Sequence, residues 1–120
     1  MRFLIADDSA SIRALVRGVL EASYRRGGIE VVEAEHGMAA LEALRAGVDV
    51  AIVDWGMPKL DGLDVVILAR GEGISIPILM LTAFDDASKE RQARAAGVTD
   101  FVPKPFRIAE LMERVRKLTG

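Results

Sequence analysis

Short apolar runs recur along the chain at residues 3–6, 29–34, 48–53, 76–81 and 101–102. They are rich in Val, Ile and Leu and nearly continuous rather than alternating, the pattern of strands covered on both faces. Between the runs, apolar residues return every three or four positions. Ile12, Leu15, Val16, Val19 and Leu20 share one helical face, with Ser9 placed to cap its start. Met38, Leu41 and Leu44 form a shorter stripe that ends near Gly47. Leu63, Val66, Ile67 and Arg70 lie between Gly62 and Gly71, while Ile108, Leu111, Met112 and Val115 mark the last helix. Residues 86–96 have only alanines as an apolar face, so propensity alone makes them a helix, and a loosely held one.

A strand followed by a helix, five times over, predicts an α/β fold: a five-stranded parallel sheet with helices on both faces and right-handed crossovers. With the second strand at an edge, the order is 2-1-3-4-5. Pro103 lacks an N–H, which suggests that the fifth strand pairs on one side only. Arg25, Arg26, Gly27 and Gly28 read as a turn and lack the spacing of a nucleotide-binding loop. No linker, repeat or low-complexity tract interrupts the pattern, and residues 1–120 are expected to form one domain.

Composition narrows the chemistry. The formal net charge of -2 offers no basic field for nucleic acid, so direct nucleic-acid binding is not expected. Without cysteine there is no disulfide, thiolate nucleophile or Cys-ligated zinc, and the single histidine, His36, reads as a loop residue. Acidic residues follow Met1 too closely for a signal peptide, and no apolar run approaches the ~20 residues of a bilayer span. The expected location is the cytoplasm, with no membrane insertion.

In open α/β sheets, ligands gather at the carboxyl ends of the strands. Asp7 and Asp8 follow the first run, Asp54 the third, Thr82 the fourth and Lys104 the fifth. Each alone reads as a turn, cap or surface residue. Together they aim three carboxylates, a hydroxyl and an ammonium at one place. Clustered carboxylates repel unless a cation is present. An all-oxygen set suits Mg²⁺, with Mn²⁺ as the alternative. A nucleophilic carboxylate beside a cation and a lysine is a layout for phosphoryl chemistry.

These residues resemble the receiver domains of bacterial two-component response regulators, including single-domain chemotaxis-type regulators. Asp7-Asp8-Ser9 is similar to the family's acidic pair, and Asp54-Trp55-Gly56-Met57-Pro58-Lys59-Leu60-Asp61-Gly62 to its phosphoacceptor loop. Leu81-Thr82-Ala83 resembles the switch hydroxyl and its small neighbour, and Lys104-Pro105-Phe106 the Lys-Pro signature. The resemblance spans essentially the whole chain and implies a flavodoxin-like, doubly wound (βα)5 fold.

The resemblance also implies roles. Asp54 is the phosphorylated residue; Asp8 and Asp54 hold Mg²⁺ through their side chains, Gly56 through its carbonyl and Asp7 through water. Lys104 pairs with Asp54 at rest and with the phosphoryl group afterwards. Thr82 moves to the phosphoryl group, Ala83 leaves room for it, and Phe101 turns inward as Thr82 vacates space. Pro105 follows a cis bond. The implied partners are a sensor histidine kinase or histidine phosphotransfer protein and a downstream effector met by the last two helices.

Gly56 and Phe84 depart from common family patterns beside the route of attacking water, and are expected to set the phosphate lifetime. Trp55 is either partly exposed or simply packed. Lys89, Arg91, Arg94, Arg107, Arg114 and Arg116 form either a partner surface or a solvated face. Three rivals stay open: a binding module that takes no phosphate, an aspartate-nucleophile phosphatase and a flavin-binding domain. The adjacency of Asp7 and Asp8 argues against the second. The missing phosphate loop argues against the third.

Overall fold

Five parallel strands stand in the order β2-β1-β3-β4-β5: β1 (Arg2–Ala6), β2 (Glu30–Ala34), β3 (Val50–Asp54), β4 (Ile78–Thr82) and β5 (Asp100–Pro103). The structure is a computed structural model, and it describes residues 1–24, 28–83 and 86–120. Five helices alternate with the strands: α1 (Ala10–Ser23), α2 (Gly37–Ala46), α3 (Gly62–Gly71), α4 (Ala87–Ala96) and α5 (Ile108–Thr119). The alternation of side chains along each strand divides the core in two. Phe3, Ile5, Val50, Ile52, Leu79, Leu81 and Val102 pack against Val16 and Leu20 of α1 and Leu111, Met112 and Val115 of α5. Leu4, Ala6, Ala51, Val53, Ile78, Met80 and Phe101 pack against α2, α3 and α4.

Local chemistry sets the element ends. Ser9 Oγ accepts the Ile12 N–H at 3.3 Å, the cap expected for α1. Asp61 caps α3 through the Asp64 N–H at 2.9 Å, and Asp86 caps α4 through the Lys89 N–H at 2.7 Å. His36 is more than a loop residue: its Nδ1 accepts the Ala39 N–H at 3.1 Å and caps α2. The third and fourth strands begin two residues later than the apolar runs suggest. Asp49 turns the chain by taking the Arg2 N–H on its carboxylate at 2.7 Å, and Pro77 brings no N–H to the ladder.

The sheet edges also differ from the expectation of strands covered on both faces. In β2 only Ala34 is fully buried, because an edge strand lacks a neighbour and helix cover on one flank. At the opposite edge β5 pairs with β4 alone, and Pro103 lies beside Thr82. Leu15, Met38, Ile67 and Ile108, which the helical stripes place in the core, are exposed. They share a helical face with buried residues without being covered themselves. Leu15 and Ile108 line an apolar groove of about 800 Å³ between α1 and α5. Val65 and Ala69 are buried in their place in α3. The turn read at Arg25, Arg26 and Gly27, and Phe84, lie outside the described residues.

Candidate functional site

Strand parity aims the charged groups. Asp7 continues the alternation of Phe3 and Ile5, Asp54 that of Val50 and Ile52, and Lys104 that of Val102. All three therefore leave the sheet toward the α1–α5 side, at the carboxyl end where β1 and β3 are neighbours. One carboxylate oxygen from each of Asp7, Asp8 and Asp54 lies within 4.8 Å of the others. Lys104 Nζ is 2.8 Å from Asp7 Oδ2 and 3.1 Å from Asp54 Oδ1. The lysine thus pairs with both buried carboxylates, and more closely with Asp7. The expectation of pairing with Asp54 at rest covers only half of its contacts.

Burial makes this costly. Asp7 is 1% exposed and Asp54 6%, whereas Asp8 is exposed. Burial, then the charge of Asp7, pushes the Asp54 carboxyl above its ordinary range; Lys104 pulls it back only in part. For Lys104, burial alone would lower the ammonium's pKa, but the hydrogen bond it donates to Asp7 and the charge of Asp54 outweigh it and raise it. One ammonium facing three carboxylates leaves excess negative charge. The donor set is all oxygen, which fits a hard divalent cation held by carboxylates.

The loop after Asp54 is held by backbone packed on backbone. A Cβ on Gly62 would lie 2.1 Å from the carbonyl oxygen of Asp54, and a Cβ on Gly37 would lie 1.8 Å from that of Leu60. Only glycine permits either approach. The Gly62 N–H donates to Trp55 O at 2.7 Å, and the Gly37 N–H to Pro58 O at 3.3 Å. Between them Lys59 sits at φ 70°, in a three-residue turn closed by the Leu60 N–H on Pro58 O at 2.8 Å. Gly56 is exposed, and a Cβ there would meet nothing within 4 Å.

Thr82 and Phe101 follow the opposite parity, on the side of α2, α3 and α4. Thr82 is fully buried, and its carbonyl accepts the Lys104 N–H at 2.6 Å. Phe101 already points inward, 5% exposed. The Lys104–Pro105 peptide is cis. Ala83, Lys104, Pro105 and Phe106 line a cleft of about 480 Å³ with Ile12 and Leu15. Trp55 is packed rather than partly exposed, at 6%, with Lys89 Nζ 5.5 Å from its ring centroid.

Besides Lys89 over Trp55, further cations read as a surface set are used internally. Arg94 and Arg114 both bind Asp100 Oδ1, at 3.3 and 2.9 Å, joining α4, β5 and α5. Sequence reasoning missed Arg13, whose Nη1 donates to the Asp7 carbonyl at 2.7 Å while its Nε donates to Glu33 Oε1 at 3.0 Å. A readable signal was there: a cation in the first turn of a helix, where the macrodipole disfavours it.

The family model for the response regulator receiver domain matches residues 3–116. The chain belongs to this family, whose members are receiver domains of two-component signalling rather than turnover enzymes. The chain is 37% identical over 124 residues to chemotaxis protein CheY1 of Helicobacter pylori, covering 100% of this chain and 98% of CheY1. It is 40% identical over 119 residues to response regulator MprA of Mycobacterium leprae, covering 98% of this chain but 50% of MprA. The solved structure of Vibrio cholerae CheY4 superposes with a TM-score of 0.86 at 32% identity, covering 98% of this chain and 97% of that one. Among the described residues, no helix is long and apolar enough to cross a membrane.

Proposed function

We propose that Asp54 accepts a phosphoryl group from a phosphohistidine of a sensor histidine kinase or a histidine phosphotransfer protein, in a Mg²⁺-dependent reaction, and that this changes the surface met by a downstream effector. Residues 1–120 act in this as one receiver domain. The observation that most supports the reading is the meeting of three carboxylates within 4.8 Å with Lys104 at 2.8 and 3.1 Å from two of them.

Asp8 and Asp54 would hold the ion through their carboxylates, Gly56 through its carbonyl and Asp7 through an intervening water; Mn²⁺ suits the same donors. When bound, the ion supplies charge neutralisation for the carboxylates and the incoming phosphoryl group. An Asp54 carboxylate oxygen attacks phosphorus in line, the P–N bond breaks, and its electron pair stays on the histidine nitrogen. Asp54 is a weak nucleophile, so its fixed place on β3 supplies much of the rate. Lys104 is already within reach of Asp54 and would pass to a phosphoryl oxygen. Ala83 leaves space. Thr82 would turn its hydroxyl to the phosphoryl group, and Phe101, inward here, would be held there by packing alone. The resulting change in α4 and α5 is what an effector would read.

Acetyl phosphate with Mg²⁺ and intact-mass analysis tests the reading. One phosphoryl adduct is expected on wild type, and none on Asp54→Asn or with chelator. A wild type without adduct would instead favour a binding module that takes no phosphate. Gly56 would help set the lifetime of the phosphate by leaving the water route open. Gly56→Asn places its side chain in open space and should fold normally; an unchanged dephosphorylation time would end that idea.

A further inference from the structure

We infer that Arg13 is a positioning residue for the metal site: it orients the Asp7–Asp8 peptide from α1 and is itself held in place by Glu33 of β2. The inference rests on the proposed reading of Asp8 and Asp54 as metal-holding residues.

Each polar atom of Asp7 has its own partner. Its N–H donates to Ala34 O at 3.0 Å, Oδ1 accepts the Ser9 N–H at 2.9 Å, and Oδ2 accepts from Lys104 at 2.8 Å. Its carbonyl accepts from Arg13 at 2.7 Å. A peptide is planar, so the direction of the Asp7 carbonyl fixes the direction in which the Asp8 backbone leaves it. Asp8 is exposed and takes its aim from that backbone. The Arg13 contact is therefore a control on where the Asp8 carboxylate points.

Arg13 suits this role because its planar fork meets two acceptors at once, the carbonyl through Nη1 and Glu33 through Nε. Glu33 also binds Arg17 Nη1. Its carboxyl is held below the ordinary range, first by the Arg17 hydrogen bond and also by that of Arg13, against the opposing effect of burial. The buttress is thus a charged carboxylate. The first turn of α1 has no acidic residue, and a cation there opposes the helix dipole, so Arg13 is held at that position against a local preference. Arg17 provides an internal contrast, since it shares Glu33 but has no contact with Asp7.

The test is Mg²⁺ affinity by calorimetry, with Trp55 emission as a second signal and metal-free Tm measured alongside. Outer contacts to ligand-bearing groups commonly change metal affinity by 10–100-fold, so Arg13→Ala should weaken binding about 10-fold. Arg13→Lys, which keeps one donor, should recover part of the loss, and Glu33→Gln should lose about 3-fold, a fraction of the full effect. Arg17→Ala should bind as wild type does. Should Arg13→Ala fail to fold, Arg13→Lys and Glu33→Gln decide. Wild-type affinity in Arg13→Ala, or an equal loss in Arg17→Ala, overturns the inference. A wild type that takes up no Mg²⁺ overturns the metal reading on which it rests.

Discussion

α3 and α4 are each ten residues long, and each follows a strand that ends in a site residue, Asp54 for one and Thr82 for the other. Their attachments differ sharply. α3 buries Gly62, Leu63, Val65, Val66 and Ala69, and its first residue lies against the Asp54 backbone. α4 buries Ala93 alone. Apolar area removed from water is the main stabilising quantity, and a buried valine contributes roughly 1.5–3 kcal/mol that an exposed polar residue does not. The side that carries the carboxylate is thus fixed, and the side that follows the hydroxyl is held by little. In the proposed function one group is placed accurately while the surface changes, and the two helices would divide those tasks.

The largest expected effect breaks the firm side. Gly62→Ala puts a methyl 2.1 Å from the Asp54 carbonyl oxygen, where no flexible side chain can yield. A loss of about 3 kcal/mol in urea denaturation is expected, with loss of the phosphoryl adduct. Stability within experimental error of wild type would show that the close approach is not required.

Smaller substitutions sharpen the contrast. Val66→Ala should cost about 2 kcal/mol through its cavity, whereas Ala93→Gly should cost about 1 kcal/mol, mostly backbone entropy. By hydrogen exchange, α4 amides should open at a lower free energy than those of α3. Equal protection in the two helices would erase the distinction.

The smallest effect has the opposite sign. Asp54 has a raised carboxyl pKa, chiefly through burial. Between the ordinary aspartate value and that raised value, the native state holds a proton that the unfolded state has released. Stability from this group therefore falls as pH rises through the window. In metal-free buffer at neutral pH, Asp54→Asn should melt higher than wild type, and the gap should close as pH falls below the ordinary aspartate range. A gap that widens in acid would contradict the burial argument. Saturating Mg²⁺ should reverse the order, because it stabilises only the protein that binds it.

Much of this arrangement is legible in the sequence. Near-continuous apolar runs mark β1, β3 and β4 because both faces are covered, and the acidic and hydroxyl residues stand directly after them, with the lysine just past β5. The runs mislead at β2, whose edge position leaves Val31 and Val32 half covered. The helical stripes mislead at Leu15 and Ile108, because periodicity shows which residues share a face but not where a neighbouring helix ends. The double pairing of Lys104 depends on the relative depth of Asp7 and Asp54, which spacing does not encode. The contact of Arg13 with Asp7 is not legible, because a backbone carbonyl has no letter in a sequence; only the cation's place in the first turn of α1 hints at it.

Arg70 gives the lightly packed helix a fixed end. Its Nε donates to Gly97 O at 3.0 Å, and its Nη1 donates to Ile74 O at 2.9 Å and Ile76 O at 2.7 Å. The C-terminal cap of α4 is thereby fastened to the loop that feeds β4. At about 1.5 Å per residue, α4 is a lever roughly 15 Å long with its fulcrum at Gly97. A tilt of about 10° would carry Asp86 about 2.5 Å while leaving the fulcrum where it is. A displacement near Thr82 would act at the free end of this arm, and the arc it follows would be set by an arginine whose hydrogen bonds all lie at the other end.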